Sequence, residues 1–313
     1  MAQPASSKKA WVTLLTKTSY LSGALVLHHS LTKVQSAYPL VVFASPELPR
    51  PAREVLEAKG IRVRDIAYLE PPEDKKKKLD ERDRRFADTW TKLRCFEMVE
   101  YERVVMLDSD MVVVRNMDEL MSMPLEEGWI AASHACTCNP RKLAHYPSNW
   151  IPENCGHTQA RLTTPLSASD FTKPTHTRLN SGLVVLRPSA STFSSIVTFL
   201  HTDPRVATYG FPDQDLLADF FAGRFAPLSY RYNALKTLRY CHPEMWRDED
   251  VKNVHLILKK PWDYQLPEGD PDYVTHKWWW DTFDELQASW GDAPGWELVE
   301  STVNRELQTP DFK

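Results

Sequence analysis

At 313 residues, with 42% hydrophobic and 26% charged side chains, the chain is long enough to bury a full core as one large α/β domain or two smaller ones, in the composition range of soluble globular proteins. A net charge of only -4 leaves no electrostatic footprint for nucleic acid, and no run of about 18 uncharged apolar residues offers a membrane span. Five cysteines, an odd number, behind an N-terminus without an apolar leader point to reduced thiols and a cytoplasmic protein.

Residues 1–9 read as a disordered tail and Ala10–Leu15 as a first strand. Tyr20–Lys33 predicts a helix, Pro39–Ala44 a second strand, Pro49–Lys59 a helix opened by prolines and closed by Gly60, and Ile61–Ile66 a third strand. This β-α-β-α-β opening predicts an α/β fold with a doubly wound, Rossmann-like, mostly parallel sheet. Glu70–Arg85 reads either as a solvated charged face or as a mobile lid whose basic residues reach a substrate's phosphates. A helix from Thr91 to near Tyr101 follows, with Lys92 on its surface or turned back into the crevice.

The apolar run Val104–Leu107 is too short and too β-branched for a helix. It predicts a strand covered on both faces, whose carboxyl end is a crevice position. Asp108-Ser109-Asp110 stands at that end. In a regular strand Asp108 and Asp110 share a face, and two carboxylates on one face repel unless a cation such as Mg²⁺ or Mn²⁺ lies between them. The alternative is an Asp-Ser-Asp turn capping the next element.

From Leu120 to about Arg178 the chain is irregular, with strands predicted at Trp129–Ser133 and Leu183–Leu186 and Asn180-Ser181-Gly182 just before the latter. An irregular stretch this long in a compact domain is functional or disordered, and it reads as the wall on the acceptor side. Within it Cys136-x-Cys138 and Cys155-x-His157 can be read as four zinc ligands, at a spacing outside the common zinc motifs. Ser189–His201 predicts a helix. Pro212-Asp213-Gln214-Asp215 opens the next, Leu216–Phe221, where acidic residues serve as first-turn caps or face a substrate. Phe225–Leu228 and Tyr230–Asn233 read as short extended pieces. Val254–Leu258 reads as a final strand with His255 in its middle, either a satisfied core residue or a ligand for Mn²⁺.

Seven segments in this order, at 10–27, 36–44, 91–120, 179–189, 212–221, 232–244 and 254–264, resemble glycosyltransferase family 8, the family of glycogenin and galactinol synthase. The resemblance implies a single GT-A domain over residues 10–286, with 287–313 packing on it or trailing from it, that holds Mn²⁺ (or Mg²⁺) and UDP-galactose or UDP-glucose. It implies Asp108, Asp110 and His255 as metal ligands, and Lys92 and Lys260 on the donor's phosphate or sugar. Val12, Leu14, Thr16 and Tyr20 match the uridine-facing strand and turn, Ser109 goes with the DxD on the donor, and Asn180 and Ser181 match the sugar contacts. Asp213 and Gln214 match the pair near the anomeric carbon. Members of the family retain anomeric configuration, and no residue here is an obvious covalent nucleophile. The resemblance therefore implies front-face attack, with Gln214 stabilising the cationic sugar and Asp213 and Lys260 beside it.

Tyr232–Glu244 and the closing Lys277-Trp278-Trp279 with Phe283-Asp284 resemble galactinol synthase, which implies a small polyol such as myo-inositol as acceptor. Tyr240 stands where glycogenin carries its self-glucosylated tyrosine. A protein tyrosine or glucan primer is thus the alternative acceptor, and a non-catalytic nucleotide-sugar-binding protein the alternative class. The charge and the lack of a long apolar run leave no nucleic-acid and no membrane partner expected, and a homodimer stays open. Residues 136–178 match neither relative closely.

Overall fold

The computed structural model describes residues 8–76, 88–144, 146–159 and 164–308. Its strands are β1 (Lys9–Leu15), β2 (Leu40–Ala44), β3 (Arg62–Asp65), β4 (Arg103–Leu107), β5 (Met111–Val113), β6 (Ile130–His134), β7 (Leu179–Leu186), β8 (Phe225–Leu228), β9 (Ala234–Leu235) and β10 (Asn253–His255). The helices are α1 (Leu21–Lys33), α2 (Arg50–Ala58), α3 (Gly156–Gln159), α4 (Ala190–Thr202), α5 (Pro212–Phe220), α6 (Leu238–Cys241), α7 (Tyr273–Trp290) and α8 (Trp296–Glu300).

Seven strands form the central sheet in the order β3-β2-β1-β4-β7-β6-β8, and β5-β10-β9 form a small second sheet. Every residue of β2 and β4 is buried, as a strand covered on both faces must be. Only β7 runs against its neighbours in the large sheet, antiparallel to β4 and to β6. The doubly wound, mostly parallel sheet is therefore present. The chain leaves β1 for β2 on one side and returns through β4 on the other, so the carboxyl ends of β1 and β4 flank a topological switch point, where such sheets open a crevice.

Several elements depart from expectation in ways that matter for that crevice. Thr89–Glu97 is a 3₁₀ helix, not an α-helix reaching Tyr101; its buried residues Trp90, Leu93 and Phe96 recur every third position, the 3₁₀ period. β7 begins at Leu179, so Asn180-Ser181-Gly182 lies inside the strand rather than ahead of it. α5 begins at Pro212, which serves as its N1 residue, so Asp213 and Gln214 sit in its first turn. Tyr230–Tyr232 is a 3₁₀ turn, not an extended piece. β10 stops at His255, placing that histidine at its end rather than its middle. There Leu256 donates its N–H to the Asp110 carbonyl, and the chain turns through a left-handed Leu258 (φ 67°).

Two helices had no clear signal in the sequence. α7 and α8 close the α1 side of the sheet with an aromatic layer in which Trp279 stacks on Phe283 at 5.1 Å and Trp296 packs beside it. Most of Glu70–Arg85, with its lid reading, falls outside the described residues, as do residues 1–7 and 309–313. Among the described residues no helix is long and apolar enough to cross a membrane.

The packing of α1 carries a pH signature. Burial, reinforced by the Lys59 ammonium, pushes the pKa of His28 down to about 4, and its Nδ1 has no partner. The unfolded chain takes up this proton near pH 6.5, whereas the folded chain refuses it until about pH 4, so stability present above pH 6.5 is lost as pH falls through that window. This one group should remove about 2 kcal/mol between pH 7 and pH 5. Denaturant titrations across that range should show a shallower loss for His28→Leu. Parallel curves for the two proteins would refute the assignment.

Candidate active site

The two aspartates converge for a reason the strand pattern does not contain. β4 ends at Leu107 in the large sheet and β5 begins at Met111 in the small one, so Asp108-Ser109-Asp110 is a bend crossing between sheets, not a stretch of regular strand. Asp108 takes its N–H to the Gly182 carbonyl of β7 at 2.8 Å, and the Asp110 carbonyl receives Leu256. With the backbone held on both sides, both carboxylates aim at one point. His255 Nε2 lies 3.2 Å from Asp110 Oδ1 and 3.6 Å from Asp108 Oδ2.

A chain of amides fixes the state of that histidine. The Gly182 N–H donates to Asn180 Oδ1 at 3.1 Å, and because a backbone N–H can only donate, this oxygen is the acceptor. Asn180 Nδ2 must then donate to Gln214 Oε1, 3.2 Å away, while Asn233 Nδ2 donates to the same Asn180 oxygen at 2.8 Å. Asn233 Oδ1 is left to accept from His255 Nδ1 at 2.9 Å. A proton thus sits on Nδ1, and Nε2 is the ring nitrogen turned toward the two carboxylates. Three electron-rich atoms within 4.8 Å of one another, one of them oriented by a neighbouring amide, fit a hard divalent cation such as Mn²⁺ or Mg²⁺.

Two lysines complete the floor. Lys92 Nζ lies 2.6 Å from Asp108 Oδ1 and 3.3 Å from Asp213 Oδ2, so it points into the crevice. Lys260 reaches Asp110 and the Leu256 carbonyl. Burial works against charge on all of them. It is outweighed at Lys92 by Asp108 and Asp213, which raise its pKa, and at Asp110 by Lys260 and His255, which hold the carboxyl well below the usual carboxylate range. Lys92, Lys260 and Asp110 are therefore held ionised, and the two lysines are able to exchange partners when a diphosphate arrives.

Leu14, Thr16 and Tyr20 line the cleft above the end of β1, and Ser109, Asn180, Ser181, Asp213 and Gln214 line it from the β4 side. Tyr20 packs edge-on against Trp262 at 5.2 Å. Val12 is sealed in the core with Val41, Phe43 and Met106, and its side chain does not reach the cleft. The far wall joins the irregular segment to the start of α5: Trp150 stacks on Phe211 at 5.0 Å with Tyr146 edge-on to both, and all three face the cleft. Such faces suit a sugar ring. Tyr240 lies beside Arg141 and Asp272, behind the lining residues rather than among them.

The family profile of glycosyl transferase family 8 matches residues 11–265. The chain belongs to glycosyl transferase family 8. It is 30% identical to galactinol synthase 7 of Arabidopsis thaliana over 292 residues, 91% of this chain and 84% of that one. It is also 30% identical to galactinol synthase 2 of Solanum lycopersicum, over 96% of this chain and 87% of that one. Among solved structures it superposes on the galactosyltransferase LgtC, in complex with donor and acceptor sugar analogs, with a TM-score of 0.62 at 16% identity, covering 88% of this chain and 95% of that one. It matches GlyE of Streptococcus pneumoniae with a TM-score of 0.58 at 15% identity over 90% of this chain, which spans 64% of the GlyE chain. The fold is GT-A, and the protein is a glycosyltransferase enzyme.

Within this family 8 site, two residues escaped the sequence reading as functional groups. Asn233, 1% exposed, orients His255 from 22 residues away, and Gly182 lets the imidazole lie against β7. Asn233 carries no local signal, since an asparagine after a tyrosine reads as a turn. Gly182, an isolated glycine in an apolar strand pattern, is the recognised sign of a close approach.

Proposed function

We propose that this glycosyltransferase moves a hexose, with galactose as the leading candidate, from a UDP-sugar to a small polyol such as myo-inositol with retention of configuration. The observation that carries this reading is the Asp108, Asp110 and His255 cluster, flanked by Lys92 and Lys260, on the floor of a cleft walled by Trp150 and Phe211. The galactinol synthase names of the relatives support the choice of donor and acceptor.

Asp108, Asp110 and His255 would hold the metal, which neutralises the donor diphosphate and stabilises the departing UDP. Lys92 and Lys260 turn from their carboxylates to the phosphate oxygens. Thr16 and Tyr20 flank the base. Gln214, held by Asn180, presents its amide to the sugar as positive charge develops, with Asp213 behind it. No protein group is routed into a covalent sugar intermediate, so the acceptor hydroxyl attacks from the face that UDP leaves, giving its proton to a donor phosphate oxygen.

The test is UDP release from UDP-galactose in Mn²⁺, with and without myo-inositol, beside UDP-glucose. Release should rise sharply with inositol. In Gln214→Ala turnover should fall about 100-fold while UDP affinity stays within about twofold. Release indifferent to inositol would sink the polyol reading, and a hexose-sized gain in intact protein mass after UDP-glucose treatment would return Tyr240 to the role of acceptor.

A further inference from the structure

Among its described residues the irregular segment between β6 and β7 carries no strand of the sheet, yet its residues Cys136, Asn139, Arg141, Tyr146 and Trp150 line the cleft. Behind that wall four side chains from distant parts of the chain meet. The sulfurs of Cys138, Cys155 and Cys136 lie 3.2, 3.5 and 3.7 Å from Nε2 of His242, and all four ligand atoms fall within 4.8 Å of one another. Cys138, Cys155 and His242 are buried, and Cys136 is half-buried.

We infer that Cys136, Cys138, Cys155 and His242 form a structural zinc site, separate from the carboxylate cluster. The geometry is that of a tetrahedron around a small ion. Zn–S bonds of about 2.3 Å and Zn–N bonds of about 2.0 Å at tetrahedral angles place sulfur and nitrogen about 3.5 Å apart, which the three measured separations bracket. Hydrogen bonding does not account for the cluster, since a single imidazole N–H can serve only one of three sulfurs and thiols are weak partners for each other. A disulfide would use two of the sulfurs and leave the third with the imidazole. The donor sets also separate the two sites by hardness: three thiolates and an imidazole select zinc, whereas Asp108, Asp110 and His255 suit manganese or magnesium.

The structure also corrects the ligand set suggested by spacing. His157, two residues after Cys155, donates through Nε2 to the His134 carbonyl at 2.9 Å and leaves the fourth position to His242, 87 residues beyond Cys155. Cys241 touches Cys136 and Cys138 from outside the tetrahedron. Binding releases three thiol protons to solvent and leaves a Zn²⁺ carrying three thiolates and a neutral imidazole. Its effect is to tie the wall, at 136–155, to the C-terminal end of α6, whose N-cap residue Thr237 faces the cleft. The ion would thereby shape the acceptor pocket without touching substrate.

The inference does not rest on the transfer reading, and its test reads metal rather than activity. The full chain, expressed with zinc supplied and purified without chelator, is assayed by elemental analysis and by thiol titration in denaturant. One zinc per chain and five reactive thiols are expected, matching the five cysteines. Zinc content should fall to about a tenth or less in Cys155→Ser and in His242→Ala. It should persist in Cys95→Ser, Cys241→Ser and Asp110→Asn. If the loss variants do not fold, His242→Cys should still bind zinc, and exchange of wild type into Co²⁺ should give the intense visible bands of tetrahedral thiolate coordination. Wild type without zinc, only three reactive thiols, zinc retained in folded His242→Ala, or zinc lost in Cys241→Ser would each overturn the assignment.

Discussion

Asp110→Asn should lower kcat/KM for transfer by about 1,000-fold or more while leaving a folded protein. The substitution is nearly isosteric, but it removes the charge that both His255 and Lys260 face, and it replaces one carboxylate oxygen with an amide nitrogen that cannot ligate a cation. Lys260 then stays buried against the Leu256 carbonyl with its main counter-charge gone, which should cost up to about 3 kcal/mol of stability. Calorimetric titration with Mn²⁺ should show binding reduced in parallel with activity. An Asp110→Asn protein that turns over at near wild-type rate in Mn²⁺ would remove this residue from the metal site.

Gly182→Ala should be nearly as damaging although it alters no polar group. A Cβ at position 182 would stand 2.6 Å from His255 Nδ1, closer still to its Cε1, and 3.0 Å from Asn180 Oδ1. The ring cannot step aside without giving up its bond to Asn233, which sets its tautomer and aim. Metal affinity and activity should therefore fall about 10- to 100-fold, with a stability loss of about 1–3 kcal/mol from the overpacked contact. Gly210→Ala is the matched control, because its Cβ would meet nothing within 4 Å. Equal behaviour of the two variants would show that the approach of β7 to His255 is slack.

These two residues also mark the boundary between what local pattern reveals and what folding adds. The β-α-β-α-β opening was legible because helix and strand periods are written within a dozen residues, and Val104–Leu107 of β4 is an unbroken apolar run of the kind a doubly covered strand carries. The carboxylates at the end of β4 were legible for the same reason, and the family motifs marked out His255, Lys92, Lys260 and Gln214. What placed those carboxylates together was not the alternation of a strand but a bend between two sheets, because each sheet anchors one side of it through β7 and β10.

By itself, the sequence determined a family 8 glycosyltransferase with an Asp-Ser-Asp motif at the mouth of a mostly parallel sheet. Only the tertiary structure decided that Asn233 orients His255, that Lys92 turns inward, that aromatic rings wall the cleft, and that His242 rather than His157 completes the cysteine cluster. The reason is distance along the chain. Periodicity and motif spacing report neighbours within a few turns or strands, whereas His242 meets Cys136 and Cys138 across more than a hundred residues, and such contacts exist only once the sheet has closed the loop between them.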